Sequence, residues 1–498
     1  MYRLNEEQPL SGTWGSIVRF GPAIIVALFY TTVVLHYSYT PDDTYRYLQY
    51  AKNLAQGDGF AFNANSPSYG FSCPLWILLI AGGVKAGIDP FIVAKTFDIL
   101  FASLSLILVY TLAFSVIRDK IFAVVATCVF SFDAWFLRWA GSGMETSFAV
   151  LLVLLAVKYA YAGDYHIAGF VAGLLTIVLP EGALLFAVIQ TENFFVSYIV
   201  EKRRRLFWVS LVLYAVVVVP WLIFSKQYFG TWVPNTVLAK NAVHRTFSDG
   251  FGTFVDSVGI LSSTQPLLLV LLIVGLPFII RRGGIGTFIA KCMPLLWIAG
   301  LVIGYAVLNV QVVSRTLVPV IPIITVYALW SLKQFELSFG WARQKVLVLL
   351  AVVAFGTILQ SQMVYYAKVV PHLYAFSKGM DEAMKPIALW LKSETPDTVS
   401  ILTPDVGLLG YVTDRRFFDT AGLISPPVKR AFAGLSYDEG MKKAVYRGVL
   451  KPDFVVDRGL TESRLSSDSL QPIMSKPFAG LGLKRSDLVY YTLYRVIR

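Results

Sequence analysis

The stretch that decides the fold is LFWVSLVLYAVVVVPWLIF, residues 206–224, which directly follows the basic cluster KRRR at residues 202–205. It carries no charge, and a helix of roughly 17–25 apolar residues spans a bilayer. Two further runs, residues 20–35 and 346–359, are also free of charge. Of the 498 residues, 56% are hydrophobic and 15% charged, whereas soluble domains carry about 25% charged residues. These features predict a polytopic α-helical membrane protein and exclude an ordinary soluble enzyme or a disordered chain.

The positive charge is distributed as expected for a membrane protein. The formal net charge is +12, and cytoplasmic loops of membrane proteins carry an excess of Lys and Arg. We therefore assign the basic clusters and the N-terminus to the cytoplasm. The clusters are Arg118 with Lys120, Lys202–Arg205, Arg281 with Arg282 and Lys291, and Lys333 with Arg343 and Lys345. No basic-aromatic recognition pattern accompanies them, so we predict no nucleic-acid partner.

Alternation between these basic loops predicts about eleven membrane spans, within a range of ten to thirteen, and the first is a retained anchor. The spans are residues 20–36, 92–117, 121–138, 147–162, 167–180, 183–200, 206–225, 264–280, 292–310, 316–332 and 346–364. The apolar run Pro74–Lys85 is short, and counting it as a crossing would place Arg118 and Lys120 outside. We predict that this run is interfacial or re-entrant on the outer side.

Two hydrophilic regions then lie on the outer side of the membrane. One is residues 37–73, which we call the first loop, within a transmembrane domain of residues 1–366. The other is residues 367–498, which we call the C-terminal region. It contains runs rich in Val, Ile, Tyr and Phe, and helix-like stretches between or beside them. The β-like runs are 399–402, 453–456 and 488–497, and the helix-like stretches are 379–393 and 437–449. This pattern predicts an extracytoplasmic α/β domain.

The first loop opens with two adjacent carboxylates, Asp42 and Asp43, directly after Pro41. They are suited to capping a helix over residues 43–55, with Asp42 as the cap. Alternatively, one of them is a general base for an acceptor hydroxyl, or a ligand for a divalent ion, at the membrane surface. We favour Asp43 as the base. The three cysteines have neither metal-ligand nor disulfide spacing, so we predict no metal centre built on them.

Further polar residues are predicted on the same outer side, where an acid, a base and cations for a phosphate would converge. Ionisable groups at membrane depth indicate function, and an Arg can bind a phosphate bidentately. We predict that Arg315 binds a lipid phosphate. The other residues are Glu145, Glu181, Lys240, His244 and Arg245. The alternative role of the two glutamates is that of carboxylates at a helix N-terminus. The alternative role of the three basic residues is contact with lipid headgroups. Tyr69, in a loop rich in glycine and aromatic residues, either contacts a sugar or belongs to a plain loop anchored at the interface.

Several stretches together resemble a known family. They are PDDTYRYLQYAKNLAQGDGFAFN (41–63), YGFSCPLW (69–76), GMET (143–146), PEG (180–182), FGTWVPNTVLAK (229–240) and TPDVGLLGYVTDRRFFDTAGLISPP (403–427). In this order they resemble bacterial polyprenyl-phosphate-dependent glycosyltransferases of the GT-C fold. The named group is the terminal arabinofuranosyltransferase family of mycobacteria and its pilin-modifying relatives. Two positions depart from the pattern: Leu179 stands where relatives often carry Arg, and Cys73 replaces a hydroxyl residue.

The resemblance implies a membrane glycosyltransferase that uses a polyprenyl-phospho-sugar, with arabinofuranose as one candidate sugar. The acceptor would be a cell-envelope glycan or protein at the outer face of the bacterial plasma membrane. An acidic residue of the first loop is the catalytic carboxylate in such families, which corresponds here to Asp42 or Asp43. Asn235 and Lys240 lie in a matching motif and would contact the donor. The alternative from another class is a transporter or flippase of lipid-linked sugars, although no internal repeats are recognisable.

Overall fold

The computed structural model describes residues 13–37, 39–240, 247–281, 285–482 and 488–497. Over the described residues, the chain is mainly helical as far as residue 394 and includes one hairpin. The helices are Thr13–Tyr37, Asp42–Gln56, Pro74–Lys85, Pro90–Ile117, Lys120–Ser131, Ala134–Trp139, Thr146–Ala162, Tyr165–Thr176, Gly182–Asn193, Arg204–Phe229, Asn235–Lys240, Phe247–Thr264, Pro266–Arg281, Ile285–Val307, Ser314–Leu317, Ile321–Phe339, Arg343–Val364, Val370–Gly379 and Lys385–Glu394. Short 3-10 and π-helical turns join several of them, at Phe194–Val200, Val318–Val320, Tyr365–Val369 and Met380–Met384.

Five helical segments of the described chain are long and apolar enough to cross a membrane. They are Pro90–Ile117, Gly182–Val200, Arg204–Phe229, Ser314–Phe339 and Arg343–Glu394. Asp249–Thr264 and Pro266–Phe278 pass the same test only as a pair, with a bend of 107° between them. Six shorter apolar helices accompany these segments, so the count of about eleven spans stays a prediction. The helix at Phe247–Thr264 is absent from the predicted set.

The predicted span 121–138 is wrong as one continuous helix. Its first part, Lys120–Ser131, ends before Asp133, whose carboxylate accepts hydrogen bonds from the backbone N–H groups of Trp135 (3.0 Å) and Phe136 (3.1 Å). A carboxylate in this position is a helix N-cap. A second, six-residue helix therefore begins at Ala134, and it brings Trp139 to the site described below.

The first loop folds into a helix and a hairpin. The predicted helix over 43–55 is confirmed as Asp42–Gln56, which we call the first-loop helix. It ends at Gly57, whose φ of 98° lies in the left-handed region that favours glycine at this position. The strands Ala61–Asn63 and Ser66–Pro67 then pair antiparallel.

The C-terminal region continues the last long helix without a loop. Helical backbone runs from Arg343 to Glu394 and thus crosses residue 367, so the division into residues 1–366 and 367–498 stays a prediction. A five-stranded mixed sheet follows, with the order Arg416–Asp419, Ser400–Thr403, Phe454–Gly459, Val489–Val496 and Leu470–Phe478. The strand at 400–403 is parallel to both of its neighbours, and the strand at 489–496 is antiparallel to both of its own. The three predicted strands are confirmed, and two more are present.

Small helices complete the C-terminal region. Gly407–Thr413 follows the first strand of the sheet, and Pro426–Ala431 and Tyr437–Lys442 precede the strand at 454–459. The predicted helix-like stretch 437–449 is thus a short helix followed by a 3-10 turn at Val445–Gly448. The helix Gly407–Thr413 packs against the first-loop helix, which joins the C-terminal region to the first loop.

Candidate functional site

The carboxylate of Asp43 lies between two arginines. Its Oδ1 is 3.0 Å from Nη2 of Arg46, one turn further along the first-loop helix, and its Oδ2 is 2.9 Å from Nη1 of Arg315. About a third of the side chain (32%) is exposed. Burial lowers the pKa of Arg46, but the charge of Asp43, together with Tyr47 and Tyr50, raises it overall. Asp43 is therefore a charged group that a ligand can reach.

Arg315 is held by an aromatic side chain as well as by Asp43. Its guanidinium lies 5.8 Å from the centre of the Trp139 ring, within the range of a cation–π contact. The indole N–H of Trp139 donates a hydrogen bond of 2.8 Å to Ser314 Oγ. Arg138 lies over the same ring at 5.1 Å. The short helix Ala134–Trp139 therefore orients the arginine that the sequence predicts for phosphate binding.

Arg315 also lines a pocket with an empty volume of about 620 Å³. The pocket is formed by segments far apart in the sequence, and Glu145 and Glu181 lie in its wall. The other lining residues are Ser72, Thr146, Ala149, Leu179, Pro180, Thr236, Val237, Thr316 and Pro319. The structure thus brings together three of the predicted site residues, and the Arg315–Asp43 contact adds the fourth. Leu179, the position that departs from the family pattern, lies in the same wall.

The two glutamates of the pocket stand at helix N-termini but make no capping hydrogen bond. Glu145 directly precedes the helix Thr146–Ala162 but makes no side-chain capping bond, and it is 6% exposed with no hydrogen-bond partner for Oε2 among the described residues. Glu181 precedes Gly182–Asn193, also without a capping bond. Its Oε1 accepts a hydrogen bond of 3.0 Å from the hydroxyl of Tyr305. Both carboxylates therefore have oxygens suited to accept hydrogen bonds from a ligand.

Asp42 has different neighbours from Asp43. Its two carboxylate oxygens accept hydrogen bonds from the backbone N–H groups of Gly407 and Leu408, both at 2.9 Å. The expectation that Asp42 caps its own helix is wrong, since that helix has Pro41 at its N-cap and no side-chain capping bond. Asp42 instead caps the helix Gly407–Thr413 of the C-terminal region. Burial, together with the negative charge of Asp405, raises the pKa of Asp42 to about 7.

The approach between these two parts of the chain requires a glycine at position 407. A Cβ atom on Gly407 would overlap the carbonyl oxygen of Asp42. The neighbouring carboxylate of Asp405 is engaged by Arg458, at 2.8 Å, and by the hydroxyl of Tyr491, at 2.7 Å. Asp405 therefore stabilises the C-terminal region and does not line the pocket.

Two predicted contact residues connect elements of the structure. The Tyr69 hydroxyl accepts a hydrogen bond of 2.8 Å from Trp221 Nε1, and its ring stacks on Phe229 with centroids 4.6 Å apart. The side chain of Asn235 donates to the carbonyl of Leu423 at 2.8 Å, and its N–H donates to the carbonyl of Tyr69 at 2.9 Å. Neither residue lines the 620 Å³ pocket. In this structure they join the first loop, the helix Asn235–Lys240 and the C-terminal region.

The remaining predicted cations cannot be placed at the site. Lys240 is the last residue of the helix Asn235–Lys240, and His244 and Arg245 lie outside the described residues. Over the described parts of the chain, no group of three or more His, Cys, Asp or Glu side chains is arranged to hold a metal ion.

Sequence reasoning missed several residues of the site. Arg46 follows Asp43 by three positions on one helix, which is a spacing that brings side chains together, so this signal was present. Trp139 and Tyr305 carry no local signal, because their partners Ser314 and Glu181 are distant in the sequence.

Comparisons with known proteins address the fold. Residues 374–493 match a family described only as a domain of unknown function, DUF8728. No curated protein sequence matches the chain significantly. Among solved structures, ArnT from Cupriavidus metallidurans in the apo state is similar with a TM-score of 0.58 and 14% identity, over 97% of this chain and 98% of that one.

Two further solved structures are similar. ArnT from the same organism bound to undecaprenyl phosphate gives a TM-score of 0.57 and 13% identity, over 97% and 98% of the two chains. Arabinofuranosyltransferase AftD from Mycobacteria is 13% identical, with a TM-score of 0.46, over 94% of this chain and 41% of that one. At these identities the likeness to ArnT is informative about architecture. The chain has the GT-C fold that its sequence motifs predict.

Proposed function

We propose that the protein is a glycosyltransferase that moves a sugar from a polyprenyl-phosphate donor to an acceptor hydroxyl. The observation that carries the proposal is the pairing of a partly exposed carboxylate, Asp43, with Arg315, which lines the 620 Å³ pocket. The fold supports it, because ArnT has the same architecture and has been solved with undecaprenyl phosphate bound. A proton-accepting group and a phosphate-binding cation are the two groups that such a reaction requires.

In the proposed reaction, the oxygen of the acceptor hydroxyl attacks the anomeric carbon of the donor sugar while Asp43 accepts the hydroxyl proton. A new carbon–oxygen bond forms, and the bond between the anomeric carbon and the phosphate oxygen breaks. The polyprenyl phosphate leaves with the electron pair of that bond. Since charge develops on the phosphate, a fixed cation stabilises the transition state more than a proton donor would. Arg315 has this role.

The Arg315–Asp43 pair adds a step that the sequence did not predict. A donor phosphate near Arg315 would compete with Asp43 for the guanidinium, which has five N–H donors in a fixed fork. Partial release of Asp43 from Arg315 would leave one of its oxygens to accept the hydroxyl proton. Arg46 would keep the other oxygen in place, at 3.0 Å. Donor binding would in this way prepare the base.

The other residues of the pocket have roles in binding. Glu181, positioned by Tyr305, and Glu145 are suited to accept hydrogen bonds from sugar hydroxyls. Lys240, His244 and Arg245 stay predicted phosphate or headgroup contacts. We further propose that the reaction takes place on the outer face of a bacterial plasma membrane, with the N-terminus in the cytoplasm and the C-terminal region outside. Arabinofuranose is one candidate sugar, and a cell-envelope glycan or protein is the acceptor.

The proposal is tested by incubating the purified protein, in lipid nanodiscs, with radiolabelled polyprenyl-phospho-sugars and glycan acceptors. Transfer of label to the acceptor, with release of one polyprenyl phosphate per sugar transferred, is the expected result. Arg315→Ala is the matched negative control, because it removes the cation that lines the pocket, and it should reduce this transfer. Movement of intact donor between leaflets without cleavage would instead identify a flippase and overturn the proposal.

A further inference from the structure

A second pocket, with an empty volume of about 480 Å³, lies where the first loop meets the C-terminal region. The second half of the first-loop helix forms one wall, and residues 414–415 form the opposite wall. The polar side chains that line it include Gln49, Lys52, Asn53, Asp58, Asp414 and Arg415.

The walls of this pocket are tied together by contacts between distant parts of the chain. Lys52 Nζ lies 2.6 Å from Asp414 Oδ2, which joins the helix to the C-terminal region. The side chain of Asn63, in the hairpin, donates to the carbonyl of Phe417 at 2.9 Å and accepts from its N–H at 2.8 Å. The pocket therefore has a defined shape.

One buried polar group at this pocket is without a partner. Gln49 is only 4% exposed, and its Oε1 has no hydrogen-bond partner among the described residues. Its Nε2 makes long contacts of 3.4–3.5 Å with Asn53, Phe62 and Asp414. Leaving a buried acceptor unsatisfied carries a free-energy penalty. A ligand that brings a hydrogen-bond donor to Gln49 would remove this penalty.

The charges of the pocket disfavour an anionic ligand. Lys52 is paired with Asp414, and Arg415 is paired with Asp397, so neither cation is available for an anion without breaking an ion pair. Asp58 has no ion-pair partner in the part of the chain that the structure describes. Carboxylates and amides accept hydrogen bonds, and amides also donate them. Hydroxyl groups, which do both, match this combination, and a sugar presents several of them on one small molecule.

The position of the pocket relates it to the reaction centre. Lys52 and Asp43 lie on the same helix, nine residues apart, which corresponds to roughly 14 Å along the helix axis. The sugar of the donor must lie at Asp43, so a second sugar at this distance belongs to the acceptor. We infer that the 480 Å³ pocket binds a sugar unit of the acceptor glycan, away from the reacting hydroxyl. The inference rests on the proposed glycosyl transfer.

The test uses two variants of the pocket and one control in the full-length protein. Gln49→Met removes the amide at nearly constant length, and Asp58→Asn removes the unpaired charge. Gln471→Met is the matched control, because Gln471 is an exposed glutamine on an edge strand of the sheet. The probes are linear arabinofuranose and mannose oligosaccharides of one to six units. For each length, binding is measured by saturation-transfer NMR without donor, and transfer is measured with donor.

We expect the wild-type protein and Gln471→Met to have a lower acceptor KM for oligosaccharides of several units than for single sugars. Both pocket variants should lose this dependence on length, with a three- to tenfold higher KM for the longer probes and an unchanged kcat. Their oligosaccharide binding should weaken by a similar factor.

Either of two results would overturn the pocket assignment. One is oligosaccharide binding that is equal in the wild type and in the folded pocket variants, and the other is the absence of binding in the wild type. If the wild type transfers no sugar to any acceptor, the proposed function fails, and the NMR measurement still decides the pocket by itself. If transfer occurs and the pocket variants leave its length dependence intact, only the pocket assignment fails.

Discussion

The substitution Asp43→Asn examines the proposed reaction most directly, because it keeps the shape of the side chain and removes its capacity to accept a proton. In the wild type, Asp43 Oδ1 lies 3.0 Å from Arg46 and Oδ2 lies 2.9 Å from Arg315. An asparagine can still accept one of these hydrogen bonds through its carbonyl oxygen. It offers no negative charge to either arginine.

Two effects of different size are expected from this change. Loss of a general base lowers the rate by roughly 10²–10⁴. Loss of the carboxylate also leaves two partly buried arginines without its charge, which costs about 1–3 kcal/mol in the free energy of unfolding. The rate must therefore be expressed per folded molecule, since the second effect reduces the amount of folded protein and the first reduces turnover.

The assay is single-turnover transfer from a polyprenyl-phospho-sugar to the acceptor, combined with thermal unfolding of the same preparation. Asp42→Asn is the matched control, because Asp42 is the adjacent carboxylate but binds the backbone of Gly407 and Leu408. It should retain turnover within a few-fold of wild type, because the amide oxygen of asparagine can still accept one of these hydrogen bonds. A folded Asp43→Asn protein with near-wild-type turnover refutes Asp43 as the base. A loss confined to Asp42→Asn would transfer that role to Asp42.

Three further predictions concern the lipid phosphate, the effect of pH and the topology. Arg315→Ala should raise the donor KM or reduce the rate strongly. Arg315→Lys should restore only part of the loss, because lysine lacks the planar fork. Steady-state kinetics with varied donor concentration measure both effects, and unchanged kinetic constants would contradict the prediction. Burial and Asp405 raise the pKa of Asp42 from its usual 3.8 to about 7. Between these two pH values the folded state holds a proton that the unfolded state has released. This group therefore makes the fold less stable as pH rises from about 4 to about 7. Melting temperatures from pH 4 to 8 should show this slope and a flatter one in Asp42→Asn; identical slopes exclude the linkage. A reporter that is active only outside the cytoplasm should be active after Arg498 and inactive after Arg204, and the reverse pattern would invert the topology.

Features that depend on local sequence could be predicted, and contacts between distant segments could not. The apolar runs predicted most helices, because burial in lipid requires an uninterrupted apolar segment. The break at Asp133 was missed because an N-cap inside an apolar run looks like a single buried polar residue. Asp43 and Arg315 are 272 positions apart, and Asp42 is 365 positions from Gly407. Their pairing follows from the packing of the whole chain, and residue spacing in the sequence does not predict that packing.

The C-terminal sheet illustrates the same limit at a smaller scale. The strands at 400–403, 454–459 and 489–496 are rich in β-branched and aromatic residues and were predicted. Leu470–Phe478 was missed because it contains Pro472 and Pro477, and proline is tolerated only where a strand lies at the edge of its sheet. The structure places it there. Whether a strand is an edge strand depends on the sheet order, which the sequence does not state.

The length of the helix that runs from Arg343 to Glu394 determines how the C-terminal sheet is oriented relative to the first loop. Its 52 residues correspond to about 78 Å, well beyond a hydrocarbon core of about 30 Å. It therefore continues from the last predicted span, 346–364, towards the sheet as one helical shaft. Each residue added to an α-helix rotates everything beyond it by about 100°. A single insertion would therefore turn Gly407 away from Asp42. The π-helical turns at Tyr365–Val369 and Met380–Met384 each accommodate an extra residue within the helix. Deleting one residue from such a turn would convert it to α-helix and preserve the angular setting of the sheet, whereas the same deletion elsewhere in the shaft would not.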